Sequence, residues 1–228
     1  RPPWYETPPG PLWYHLPAEM DAEQFTVRAA RPEEDAAIAA LVIEGFIDKF
    51  RPIFRNGMDR SIRIMQRWIE LEHEVGGVRS LVIEDPAGGG IAASVGIRLS
   101  EPREDLLSRR LWGVFRRNLG FFHTLWATTL LSYPRYTTSP EEAYVERLVV
   151  APGFRRRGLA RSLLDASERT ASEARKRSVG LHVSCNNLPA LLLYESAGYR
   201  EVSRQRSLLT ARFLGIRAWI YMRKEPLT

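Results

Sequence analysis

Between Ala151 and Leu164 the chain reads APGFRRRGLARSLL, so that Arg155, Arg156, Arg157 and Arg161 surround Gly158, Leu159 and Ala160. The stretch leaves an apolar strand-like run, ERLVV, turns through Pro152-Gly153 and enters an amphipathic helical pattern. A strand-to-helix crossing of this kind aims unpaired backbone N–H groups at one point with the positive end of the helix dipole behind them, which suits an anion and above all a phosphate. Gly158 removes a side chain where a phosphate has to come close, and Ala160 keeps the next alternate position small. Two familiar phosphate loops fail here. A Walker loop needs Lys and Ser or Thr where Leu159-Ala160 stands, and the dinucleotide fingerprint needs three spaced glycines that this loop does not supply.

A second constellation follows at Asn186–Val202, NNLPALLLYESAGYREV. Asn187 is placed to cap a helix begun by Leu188-Pro189, Tyr194 falls about two turns along it, and Gly198 stops it. Arg155, Gly158 and Ala160 in the first stretch, followed by Asn187, Ala190, Tyr194, Gly198 and Tyr199 in the second, resemble the coenzyme loop and the following helix of the GCN5-related N-acetyltransferase (GNAT) superfamily. The specific matches lie between Glu146 and Val202, and the order of elements agrees from Gln24 onward.

The resemblance implies an α/β (α+β) fold: a mixed, strongly twisted central sheet flanked by helices, whose fourth and fifth strands splay to admit a pantetheine arm. It implies acetyl-coenzyme A as cosubstrate, no metal, and acetyl transfer to a primary amine of a small molecule or peptide by direct attack on the thioester. Leu148, Val149 and Val150 would pair with the pantetheine, with the Val150 N–H polarising the thioester carbonyl. Amides from Arg156, Arg157, Gly158, Leu159, Ala160 and Arg161 would hold the pyrophosphate, with Arg155 adding charge and Asn187 completing the coenzyme site. Tyr194 would protonate the departing thiolate. Glu146, which interrupts an apolar strand two positions before Leu148 and so on the same face, is the candidate base, directly or through water; Tyr144 stands where some relatives have a glutamate. A noncatalytic acyl-coenzyme-A sensor, and transfer of a longer acyl chain, remain alternatives.

The surrounding elements have to position these groups. Residues 1–23, dense in proline and aromatics, read as an arm lying across a surface; residues 24–228 read as the catalytic domain. Phe25, Val27 and Ala29 alternate as on a strand, and Pro32 with Glu33, Glu34 and Asp35 opens a helix carrying Ile38, Leu41, Val42 and Phe46 on one face. Met58–His73 repeats at helical spacing, and two apolar runs around Asp85–Gly90 form a hairpin. Residues 104–136 form a hydrophobic and basic insertion before the fourth strand, with Arg109-Arg110 and Arg116-Arg117 among leucines and aromatics. A buried helical insertion, a lid and an interfacial membrane helix all fit it, while its uncharged run is shorter than the roughly 20 apolar residues a spanning helix needs. The order strand–helix–strand–helix–strand after it predicts successive parallel pairing.

A composition of 44% hydrophobic and 26% charged residues over 228 positions is that of a folded soluble protein. The net charge of +6 suits an anionic partner, although no nucleic-acid motif is present and none is expected to bind. Cys185 is the single cysteine, which excludes an internal disulfide and favours the cytoplasm. His15, His73, His123 and His182 have no metal-ligand spacing. Glu34, Asp35, Glu44 and Asp48 either draw a cationic amine or simply solvate a helix. The sequence leaves a monomer and a homodimer equally open.

Overall fold

The computed structural model describes residues 25–55, 57–75, 77–88, 90–100, 104–134 and 139–225. The expected N-terminal arm lies outside them. Strand β1 (Val27–Ala29) leads through a 3-10 turn at Pro32–Glu34 into three helices, α1 (Asp35–Gly45), α2 (Ile47–Phe54) and α3 (Met58–Val75). Where the sequence suggests two helices there are three, because the chain breaks at Phe46 (φ −119°, ψ 33°) and restarts. The hairpin β2 (Val78–Glu84) and β3 (Ile91–Arg98) follows, then the insertion as α4 (Glu104–Leu119) and α5 (Phe121–Leu131). The remainder is β4 (Glu142–Val150), α6 (Leu159–Glu173), β5 (Ser178–Ser184), α7 (Leu188–Ser196), β6 (Arg200–Arg206), α8 (Leu208–Leu214) and β7 (Ala218–Lys224).

The seven strands form one mixed sheet in the order β1-β2-β3-β4-β5-β7-β6. Only β4 and β5 are parallel; the other neighbours are antiparallel. The expected run of successive parallel pairs therefore stops after one, because β7 enters between β5 and β6. Burial explains the exchange. In β7 the five residues Ala218–Met222 are all buried, whereas in β6 six of seven are exposed, so the apolar strand takes the interior and the charged one the edge.

Each face of the sheet carries its own core. Under α6 and α7 lie Ile83, Val95, Val145, Leu181, Ile220 and Met222. Leu163 and Leu164 of α6 are fully buried there, each contributing roughly 1.5–3 kcal/mol by removal from water. On the other face α1, α2 and α3 bury Ile38, Val42, Phe54, Ile64 and Ile69. The insertion joins this second core through Leu107, Val114, Phe115, Ala127 and Leu130. Its outer side exposes Arg109, Arg116, Arg117 and Phe122. No helix among the described residues is long and apolar enough to cross a membrane.

Candidate active site

The arginine-rich loop forms the concave turn its composition suggests. Arg156 (φ +64°) and Gly158 (φ +81°) are both left-handed, and Gly158 begins α6 without any side-chain cap. The first amide to find an acceptor in the helix is Ser162, at 3.0 Å from the Gly158 carbonyl, so the N–H groups of Leu159, Ala160 and Arg161 point outward from the helix end. Successive amides in such a concavity bind phosphate oxygens, and this donor set fits a diphosphate. A Cβ built on Gly158 would meet no protein atom within 4 Å, so glycine is required there for its backbone conformation rather than by crowding within the protein. On the sequence-based expectation that this loop holds a coenzyme diphosphate, replacing Gly158 with Val, a β-branched residue that a left-handed φ penalises by about 1–2 kcal/mol, should weaken binding of coenzyme A roughly tenfold or more while circular dichroism stays native; calorimetry checks it.

The arginine side chains divide their roles. Arg155 Nε donates to the Val150 carbonyl at 3.2 Å, and the Arg157 guanidinium lies 5.4 Å from the Phe154 ring centre. Arg161 donates to Asp165 Oδ1 (2.9 Å) and to the Ser196 carbonyl (3.2 Å), tying the start of α6 to the end of α7.

Beside this loop the sheet forks. β4 pairs with β5 only from Glu142 opposite Ser178 to Val145 opposite Leu181, while β5 continues along β7 to Ser184 opposite Trp219. From Glu146 to Val150 the β5-facing edge of β4 has no strand partner among the described residues. Ala151 N–H donates to Ala92 on the β3 side at 2.8 Å, so by the alternation of antiparallel pairing the peptide groups of Val150 and Leu148 face the fork, and those of Val149, opposite Ser94, face β3. Val149 instead fills the second core with its side chain.

A bulge sits at the fork's base. Ser94 opposes Val149 but Gly96 opposes Glu146, so Val95 faces two residues, Arg147 and Leu148, and Arg147 takes φ +50°. The extra residue shifts the alternation. Ala143, Val145, Leu148 and Val150 all pack toward α6, which puts Glu146 on the opposite face from Leu148 and not, as strict alternation predicts, on the same one. Glu146 instead meets Arg98 on one side and Arg147 Nη1 at 3.1 Å on the other. Arg147 Nη2 in turn pairs with Glu72 of α3 at 2.6 Å, their side chains 13% and 2% exposed. Trp68 Nε1 donates to the second Glu72 oxygen at 2.7 Å.

The same sheet face carries a polar row. The Tyr144 hydroxyl is 2.8 Å from His182 Nδ1, and the Tyr221 hydroxyl donates to Glu142. Burial pulls His182 down to about 4, so its imidazole is neutral at pH 7, and pushes the Tyr144 phenol above the ordinary tyrosine range, with the Glu146 charge adding to it.

Tyr194 lies on α7, 8% exposed, in the core that Leu159 shares and against which Leu148 and Val150 pack. Burial raises its phenol to about 12. Its hydroxyl has no hydrogen-bond partner among the described residues. Asn187 caps α7 by accepting from the Ala190 N–H at 3.3 Å, and Gly198 (φ +92°) ends it. The acidic residues considered for a cationic amine are otherwise engaged or solvated: Glu34 accepts from Arg28 at 2.9 Å, Asp35 is buried 3.4 Å from His73, and Glu44 and Asp48 are exposed. The Cys185 thiol, half-buried, donates to Asn186 at 3.1 Å. Among the described residues no group of three His, Cys, Asp or Glu side chains is placed to hold a metal.

Residues 96–199, which include the bulge, the fork, the amide loop and Tyr194, match the acetyltransferase (GNAT) family. These residues form a GNAT domain. Over 60 residues the chain is 40% identical to "GCN5-related N-acetyltransferase 4, chloroplastic" of Arabidopsis thaliana, a match spanning 26% of this chain and 21% of that relative's length. Among solved structures, one described as "The crystal structure of acetyltransferase" superposes with a TM-score of 0.62 at 24% identity, covering 88% of this chain and 99% of its own. A ribosomal-protein-alanine N-acetyltransferase from Brucella melitensis superposes with a TM-score of 0.57 at 14% identity over 88% and 99% of the two chains. These likenesses are of fold. Beyond the motif residues, the fold brings three others toward the fork that sequence reasoning did not single out: Arg98, Glu72 and, from α2, Lys49. Arg98 and Glu72 look like ordinary positions of a strand and a helix face, and only the bulge brings them together.

Proposed function

We propose that this protein transfers an acetyl group from acetyl-coenzyme A to a primary amine of a small molecule or peptide, by direct attack within the fork. The reading is supported by three features of one sheet face: uncapped amides at the start of α6, a β4 edge that parts from β5, and a phenol on α7 in the core against which Leu148 and Val150 pack. Acetyl-coenzyme A supplies the activated acetyl thioester. The α6 amides would hold its diphosphate, and the Leu148 and Val150 peptide groups its pantetheine, the Val150 N–H being the donor to the carbonyl whose charge grows during attack. Tyr194, protonated throughout the neutral range, would give its proton to the leaving sulfur. Glu146, its charge committed to Arg98 and Arg147, would act by balancing those guanidiniums beneath the acceptor and not as the proton acceptor itself. The use of one unpaired cysteine suits a reducing compartment such as the cytoplasm.

Thiol release from acetyl-coenzyme A, followed with a panel of alkyl amines, polyamines and peptide N-termini, tests the reading. Amine-dependent release with an acetylated product is the expected result. Tight coenzyme binding with no release for any amine would assign the fold to a sensing role.

A further inference from the structure

The acceptor side of the fork holds an ionisable group that the mechanism above does not use. The chain carries three lysines, Lys49, Lys176 and Lys224, in a background of arginine. Lys176 Nζ donates to the Pro140 carbonyl at 2.6 Å, and Lys224 Nζ pairs with Glu168 at 2.6 Å. Lys49, on α2, has neither a hydrogen bond nor an ion pair among the described residues. Its Nζ lies instead 5.5 Å from the Phe50 ring centre and 5.3 Å from that of Trp219.

Trp219 fixes where that nitrogen stands. Ile220 and Met222 of β7 pack beneath α6, so Trp219 projects from the opposite, acceptor-side face. It opposes Ser184, whereas β4 last touches β5 at Leu181, three positions earlier (184 − 181). Lys49 Nζ therefore overhangs the β5–β7 wall of the fork at the level where β4 has already diverged. Glu146 and Arg147 of β4 are the charged groups within its reach. Burial, reinforced by the Arg147 guanidinium and opposed by Glu146, holds the Lys49 ammonium down to about 8. A lysine at that value is substantially neutral near pH 8, which no arginine at the same place would be.

We infer that Lys49 is the catalytic residue that takes the proton from the acceptor amine during acetyl transfer. This rests on the transfer reading given above and supplies the base that Glu146, held between two guanidiniums, does not. In the step the amine nitrogen forms a bond to the acetyl carbon as the carbon–sulfur bond breaks. One amine proton passes to Lys49 Nζ, the Tyr194 proton passes to sulfur, and Lys49 returns its proton to water while Tyr194 regains one. No oxidant or metal enters.

Two measurements decide it. Competitive labelling of the folded wild-type protein with acetic anhydride across pH should show Lys49 reacting with a midpoint near 8, well below the value of about 10.4 for a free lysine side chain. A Lys49 midpoint at that free value overturns the assignment without reference to activity. With the best acceptor of the amine panel, Lys49→Arg and Lys49→Met should each lower kcat about 100-fold and abolish its rising alkaline limb, with coenzyme affinity unchanged. Activity retained by Lys49→Arg would make Lys49 an anchor for an anionic part of the acceptor and also overturns the assignment. A wild-type protein that turns over no amine removes the transfer reading itself, an outcome distinct from active variants.

Discussion

Tyr194→Phe should lower kcat by about 100-fold or more, the range for losing a positioned general acid, and leave coenzyme affinity within about twofold. The substitution removes only the hydroxyl. The ring remains in the core shared with Leu159, and the hydroxyl has no partner among the described residues, so no internal hydrogen bond is broken. Because the phenol is held up to about 12, it stays protonated at neutral pH, and no acidic limb of the rate profile should belong to it. Steady-state kinetics combined with calorimetric titration separate the two effects. Equal losses in kcat and in coenzyme affinity would mean that Tyr194 packs against the coenzyme and donates nothing.

The second large effect is on stability. Glu72→Leu should reduce the unfolding free energy by roughly 3–5 kcal/mol, because it leaves the Arg147 guanidinium in a low-dielectric site with Glu146, already shared with Arg98, as its remaining counter-charge. The pair is 2.6 Å apart with both side chains nearly sealed, and the Trp68 indole loses its acceptor as well. The double substitution Glu72→Leu/Arg147→Met removes both charges and should recover much of the loss, since apolar groups of similar volume often replace a buried pair at little cost. Urea denaturation of the two single variants, the double variant and the wild type closes the cycle. Additive losses would show that the pair is not energetically coupled. The same cluster sits under the acceptor side of the fork, so Glu72→Leu should also disturb Glu146 and slow turnover.

The parts of this molecule that the sequence revealed are those specified by neighbours along the chain. The loop at Arg155–Arg161 is set by a strand, a turn and a helix start within a dozen residues, and Asn187 and Gly198 act on the ends of their own helix. Of the insertion the sequence showed only leucines and aromatics interleaved with arginine pairs, which left its role open between a buried helical element, a lid and an interfacial helix; its packing as α4 and α5 into the second core depends on α1–α3. What escaped depends on partners far away in sequence. The bulge at Arg147 exists because β3 spends one residue where β4 spends two, and nothing in ERLVV announces it; it reversed the face assigned to Glu146. The insertion of β7 between β5 and β6 follows from a comparison of two strands' burial, which becomes visible only when both compete for the same edge. The helix α8 was hidden in a connection, although Ser207, which accepts from the Thr210 N–H at 3.2 Å, is an N-cap of ordinary type. Lys49 left one trace, a lysine where this chain otherwise uses arginine.

Whether the α6 amides grip a diphosphate can be decided by isothermal titration of the folded wild-type protein with coenzyme A and, separately, with pantetheine, which shares the thiol arm but has no diphosphate. Coenzyme A should saturate a single site per chain and pantetheine should bind at least about tenfold more weakly, given 1.4 kcal/mol or more from charge-assisted amide contacts. Equal affinity for the two, or no binding of coenzyme A, would contradict the assignment of that helix end as the coenzyme's anchor.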